Sequence, residues 1–276
     1  MAGAKNHDYH ILPPDIWPLI GAISALTFTS GMVLYMHDMP NHWLVLGVAI
    51  AGLIATFFAW FSNVVKEAHQ GFHTPVVQLH LRYGMILFIA SEVMFFLAWF
   101  WAYFDASLFP SSAEVIGGVW PPKGQNVLDP FGFPLLNTLI LLCSGTTVTY
   151  AHHSLIHGDR EGLKLGLLMT VLLGVLFTSI QAYEYMHAPF AFKQANGGTI
   201  YGSTFFMATG FHGFHVIVGT IFLTVCLIRA WKGDFTPKQH FGFEAAAWYW
   251  HFVDVVWLFL FVSIYVWGGW GAPHAG

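Results

Sequence analysis

Seven long apolar runs, separated by short polar stretches, dominate the chain. A helix crossing about 30 Å of hydrocarbon needs roughly 20 apolar residues. The runs that satisfy this predict helices over 17–35, 43–65, 75 to beyond 104, 134–156, 163–185, 202–228 and 245–267. The third starts after Thr74 with Pro75 at the first helical position, a favoured way to begin a helix. Its charge-free part begins only after Arg82, so this helix should overhang the membrane or tilt. The predicted fold class is all-α, a polytopic membrane protein with seven transmembrane helices. The inner segment 66–82, with His69, Gly71, His73 and Pro75, is the expected break between a two-helix and a five-helix unit. Within one membrane domain, residues 1–66 would hold the tail and first two spans and residues 67–276 the other five. The connection 105–133 carries Pro110, Gly117, Gly118, Pro121, Pro122 and Pro130 and reads as an ordered cover for a partner.

The few basic residues orient these spans, because Lys and Arg are retained on the cytoplasmic side. Lys5, Lys66, Arg82, Arg160, Lys164, Arg229, Lys232 and Lys238 fall on the side of the N-terminus, and Lys123 and Lys193 on the other. The N-terminus is therefore expected inside and the C-terminus outside. Trp17, Trp43, Trp231, Trp267 and Trp270 at span ends fit interfacial aromatic belts. Seven-span receptors have the reverse orientation, and a retinal protein needs a lysine in its last span, where this chain has none. No internal repeat suggests an alternating-access transporter.

Composition agrees. Of 276 residues, 56% are hydrophobic and only 9% charged, against roughly 25% charged in typical soluble domains. Ten basic and fourteen acidic residues are too few to clothe a water-facing surface of this size. The formal net charge of -4 comes without a basic run, so no nucleic-acid surface is expected. Cys143 and Cys226 lie in apolar runs and read as reduced packing residues. The opening residues lack the basic end, apolar stretch and small-residue site of a secretory signal, so no cleaved signal is expected.

Two acids fall inside spans. Glu92 lies near the middle of the third and Asp254 in the seventh. An acid at mid-span costs roughly 2.5–3.5 kcal/mol on insertion scales, so each should face protein, a headgroup or water. Glu92 should be protonated or held by a donor from another helix. It is either a proton-relay or ligand carboxyl or a structural acid joining two helices. His251 and Asp254 share one face of their helix, and His212 and His215 have the same spacing. Together with Glu92 they form a candidate polar layer, read as an interhelical hydrogen-bond network in preference to a metal or haem site.

Sixteen histidines require a metal reading to be weighed. His69 with His73, His153 with His157, and Glu184 with His187 have ligand-like spacings, and His152 adjoins His153. A membrane di-iron site needs such boxes to converge at one depth. Here the first two pairs fall at the inner face, His212 and His215 at mid-depth, and Glu184 with His187 at the outer face. A single Glu-x-x-His also falls short of a paired carboxylate site. The alternative function is nevertheless an autonomous membrane His-rich di-iron or haem enzyme. Arg229, with Lys66, Glu67 and His73 at the inner interface, could meet a lipid phosphate, but from the residues alone it reads as a snorkelling anchor.

The stretches HTPVVQLHLRYGMILFIASEVMFFLAWFWAYF, WPPKGQNVLDPFGFPLLNTLILLCSG, AHHSLIHGDR, QAYEYMHAPF, YGSTFFMATGFHGFHVIVGTIFLTVCLIR and HFGFEAAAWYWHFVDVVWLFLFVSIYVWG closely resemble subunit III of the aa3-type cytochrome c oxidases. The likeness covers nearly the whole chain, including the opening NHDYHILPPDIWP, which is similar to the alphaproteobacterial form. One departure is the short first connection, HDMPNHW, which bears on surface contacts only.

The resemblance implies a non-redox core subunit of an oxidase that passes electrons from cytochrome c to oxygen and pumps protons. It implies no cofactor in this chain, with haem a, haem a3, CuA and CuB held by partner subunits I and II, and it admits a supercomplex with cytochrome bc1 and cytochrome c. It further implies that the two-helix and five-helix bundles form a V-shaped cleft filled with phospholipid. By matching motif, Glu92 would be the buried carboxyl known in the family for reacting with a carbodiimide. Arg229, His73, Glu67 and Lys66 would line the headgroup end of the cleft, with Trp60 and Phe88 along the acyl chains. The family role is to sustain proton uptake into subunit I, protect its active site during turnover and guide oxygen through the lipid. The location would be a bacterial or mitochondrial inner membrane, with the N-terminus on the cytoplasmic or matrix side.

Overall fold

The computed structural model describes residues 7–9, 11, 14–111, 118–192 and 198–275. Lys5, Lys193 and Gly117, and part of the opening motif, lie outside the described residues. Among the described residues seven α-helices follow in chain order: α1 (Trp17–Met36), α2 (His42–His69), α3 (Pro75–Leu108), α4 (Phe133–Ile156), α5 (Arg160–Met186), α6 (Ile200–Lys232) and α7 (Phe241–Leu260), the last continued by a π-helical stretch, Phe261–Trp267. All seven are long and apolar enough to cross a membrane. Several are longer than their apolar runs because the backbone stays helical past the point where polar side chains begin. Lys66 and His69 thus ride the last turn of α2, and Arg229 and Lys232 that of α6. Two short strands, β1 (Val127–Leu128) and β2 (His274–Ala275), pair in parallel.

The helix ends use ordinary chemistry. Pro18, Pro75 and Pro134 sit in first turns, where the missing N–H is not needed. Between α4 and α5 the chain reverses in three residues. Gly158 takes the left-handed φ of 79° that the turn requires, and Asp159 then caps α5 by accepting from the N–H groups of Glu161 and Gly162.

The chain packs as two compact units, 1–81 and 82–276. In the first, α1 lies against α2 through small residues, with buried Ser24 and Thr56 facing Gly52 and Gly21. Such contacts let helix backbones approach where lipid gives no hydrophobic drive. Thr74 donates to the Asp8 carbonyl at 2.8 Å and Tyr9 stacks on His80, tying the tail to this unit.

In the second unit α4, α5, α6 and α7 pack each on the next, with α7 returning to α4. The part of α3 beyond Arg82 joins them through large rings. Phe96 meets Phe252, Phe100 meets Phe259 at 4.5 Å, and the buried Tyr103 hydroxyl donates to the Ser263 carbonyl. That carbonyl also accepts from the Gly268 N–H five residues on. The wide π turn lies at this doubly used carbonyl, where the sequence had predicted uninterrupted α-helix.

Candidate functional site

Glu92 projects from α3 to α6, where its Oε2 lies 2.8 Å from His215 Nε2. The other ring nitrogen, Nδ1, is 2.6 Å from the Phe211 carbonyl one turn back. A carbonyl only accepts, so Nδ1 carries hydrogen, and the Nε2–Oε2 contact then needs one further proton on the pair. Glu92 and His215 together are thus electrically neutral, whichever holds that proton. A neutral pair suits a site where the histidine side chain is 7% and the carboxyl 22% exposed. Phe95 and Phe96 pack around the imidazole.

The rest of the polar layer divides in two. His212 is fully buried, bonds through Nε2 to the Val253 carbonyl at 3.1 Å and lies against Trp257 and Phe177. Nε2 must donate there, and among the described residues Nδ1 has no hydrogen-bond partner. His251 and Asp254 pair on α7, with Nδ1 and Oδ2 3.5 Å apart, and His251 Nε2 meets the Thr149 hydroxyl of α4 at 3.1 Å. Gly145 leaves the space that the Asp254 carboxyl occupies, since a Cβ there would collide with Oδ2. These bonds join α3 to α6, α6 to α7 and α7 to α4 without linking all five residues in one network.

Arg229, near the end of α6, bonds through Nε to Asp234 at 3.2 Å, and its guanidinium lies 4.5 Å over the Phe235 ring. This partner did not figure in the sequence reading. Phe88, 48% exposed, stacks at its edge on Tyr249. In the first unit Lys66 and Glu67 end α2, His73 is buried in the turn that follows, with its carbonyl accepting from Gln78, and Trp60 is 44% exposed.

Two polar arrangements escaped sequence reasoning. Glu184, paired there with His187 at the outer face, turns inward. It is buried and accepts from Tyr265 at 2.7 Å and Gln181 at 3.0 Å, while Gln181 accepts from Asn137. His187 instead folds back on its own helix, bonding the Tyr183 carbonyl and stacking on the Tyr183 ring. The i, i+3 spacing of Gln181 and Glu184 was the available signal. Near the N-terminal end of α3, Arg82 grips Glu244 of α7 through both carboxylate oxygens, at 2.9–3.1 Å. Among the described residues, no three His, Cys, Asp or Glu side chains come together in a metal-holding group.

Apolar spanning helices joined by neutral or paired polar contacts define a multi-pass membrane protein whose buried polar groups hold helices together. The sequence profile of the family described as Cytochrome c oxidase subunit III matches residues 7–269. Cytochrome c oxidase subunit 3 of Marchantia polymorpha is 56% identical over 270 residues, covering 98% of this chain and 100% of the relative. The subunit 3 of Rattus norvegicus is 54% identical over 265 residues, covering 96% and 98%. The chain belongs to the cytochrome c oxidase subunit III family. It is a non-redox subunit of that respiratory oxidase and assembles with other oxidase subunits. The alternative of an autonomous histidine-rich di-iron or haem enzyme has no support among these relatives.

Proposed function

We propose that the chain serves the oxidase as a lipid-holding subunit that steadies subunits I and II and sustains proton uptake into subunit I. The observation that carries this reading is the Glu92–His215 pair. A conducting carboxyl needs polar neighbours along its path. Around Glu92 on α3 stand Phe88, Ile89, Phe95 and Phe96, and the far nitrogen of His215 is closed by a backbone carbonyl. Glu92 therefore acts as a lock between α3 and α6 beside apolar chains, with exposed Phe88 offering a surface to acyl groups.

Headgroup contacts are assigned in each unit separately. In the first they are Lys66, Glu67 and His73, with Trp60 along the acyl chain. In the second, Arg229 takes this role, since a guanidinium engaged through Nε keeps further donors for a phosphate. The redox centres, haem a, haem a3, CuA and CuB, belong on this reading to subunits I and II. The complex sits in a bacterial or mitochondrial inner membrane, N-terminus inside, and can join cytochrome bc1 and cytochrome c in a larger assembly. The excess of basic residues on the N-terminal side supports that orientation.

Tagged and purified in mild detergent, the chain should bring down subunits I and II with their haem absorbance and a constant amount of phospholipid. Arg229→Ala combined with His73→Ala should lower the retained phospholipid and shorten the active life of the oxidase during turnover. Unchanged lipid content would remove the headgroup assignment. Stoichiometric iron or copper on the isolated chain would overturn the reading as a whole.

A further inference from the structure

Of the ligand-like histidine spacings in the sequence, one survives in the structure as an open pair. His212, His215 and His251 are each tied into the bundle by hydrogen bonds, and His187 folds back on Tyr183. His73 is buried in the turn after α2, and His152 packs against His240 and Phe243. His153 and His157 instead stand one turn apart at the end of α4, both exposed, with ring centres 4.1 Å apart. Every residue from Ile156 to Arg160 is exposed as well, so the chain itself leaves the pair open across the turn to α5.

His157 Nδ1 lies 2.9 Å from the His153 carbonyl. A carbonyl only accepts, so Nδ1 carries the hydrogen, and in the neutral ring Nε2 keeps its lone pair. Metal-bound histidines show this same arrangement, one ring N–H held by a carbonyl and the other nitrogen on the ion. Metal–nitrogen bonds of about 2.0–2.1 Å put each ring centre about 3.2 Å from an ion. Two imidazoles at the right angle of a tetragonal ion then have centres about 4.5 Å apart, and at a tetrahedral angle about 5.2 Å. The observed 4.1 Å is nearer the first, the geometry of copper(II) and nickel(II) and not of zinc. Of these two, copper(II) binds nitrogen ligands more tightly. We propose that His153 and His157 form a surface chelate for copper(II), with water in the remaining positions. Two ligands hold the ion loosely, so it is taken up from solution and given up to a chelator. It is no resident cofactor, and a chain purified with a chelator present carries none of it.

The test uses the purified oxidase, stripped with a chelator and then mixed with increasing copper(II) iminodiacetate, which leaves copper positions for two further nitrogens. Electron paramagnetic resonance, after subtraction of the untreated spectrum, follows the bound copper, and electron spin echo modulation counts its imidazoles. Copper should bind with two imidazoles. His153→Gln and His157→Gln should each weaken that binding by about a hundredfold, the gain from making the second bond intramolecular, and leave a one-imidazole signal. His152→Gln, a change in the neighbouring ring that faces His240, should leave affinity and signal as they are. Absence of two-imidazole copper in the wild type, undiminished affinity in His153→Gln or His157→Gln, or loss of the site in His152→Gln would each overturn the chelate. Haem absorbance recorded for every variant before copper is added separates a failure of assembly from a failure of the site.

Discussion

Tyr265, on the π-helical end of α7, donates a 2.7 Å hydrogen bond to Glu184 of α5, and both side chains are buried. Gln181 donates to the same oxygen, Oε1, while among the described residues Oε2 has no hydrogen-bond partner. Through Asn137 the cluster reaches α4. Tyr265→Phe takes away one of two donors on a carboxyl that cannot reach water. The expected loss is about 1–3 kcal/mol, the cost of an under-satisfied buried acceptor, visible as a lower thermal unfolding midpoint in detergent. Adding Glu184→Gln to that variant should cost little more, because the amide keeps a carbonyl oxygen to accept from Gln181. A single Tyr265→Phe variant with an unchanged midpoint would sink this account.

Trp250 is fully buried between two glycines. A Cβ on Gly219 would stand 2.8 Å from its Cε3, and one on Gly174 2.8 Å from its Cη2. The indole cannot swing away, because its N–H is held by the Ser144 hydroxyl at 2.8 Å. Gly219→Ala should therefore destabilise the second unit by about 1–3 kcal/mol, as overpacking of a filled core does. Gly213 on the same helix has open space at its Cβ position, so Gly213→Ala should leave stability unchanged or raise it by up to about 1 kcal/mol through helix propensity. Thermal scans of the two variants side by side check the contrast.

The spans were legible because a twenty-residue apolar run is a signal of length, independent of which face meets which neighbour. Pairings inside the bundle depend on the rotation of each helix about its axis. α3 is apolar on nearly every side, so depth placed Glu92 and His215 at one level but no stripe said that they would touch. Glu184 shows the same limit. Gln181 and His187 lie three residues to either side of it, and only the rotation of α5 decides that the carboxyl joins Gln181 inside. The π turn coincides with a long-range bond from Tyr103 to the Ser263 carbonyl, a contact that leaves no local mark in the sequence.

Arg82 and Glu244 tie the N-terminal part of α3 to the first turn of α7 through a two-pronged contact. Glu244 is 13% exposed and Arg82 36%, so water screens one side only. A planar fork matches both carboxylate oxygens, which a lysine ammonium cannot do. Arg82→Lys should lose most of the pair's contribution, about 1 kcal/mol for a partly exposed pair of good geometry. Raising the salt concentration should narrow the gap between wild type and variant. A gap that is absent at low salt would mean that the contact does not contribute to stability.

Glu92→Gln keeps an amide N–H where Glu92 shares a proton with His215, and that amide can still donate to Nε2. The α3–α6 lock should survive, and the assembled oxidase should fold, hold its haem and pump protons at a substantial fraction of the wild-type ratio. His215→Leu is the harsher change, because it strands the carboxyl among Phe95 and Phe96 with its partner gone. It should cost about 1–3 kcal/mol in stability and loosen the complex before it alters pumping per electron. Proton-release measurements on oxidase reconstituted in vesicles separate the two roles. Normal assembly with abolished pumping in Glu92→Gln would make this carboxyl a proton carrier, since the variant removes its titration and spares its hydrogen bond.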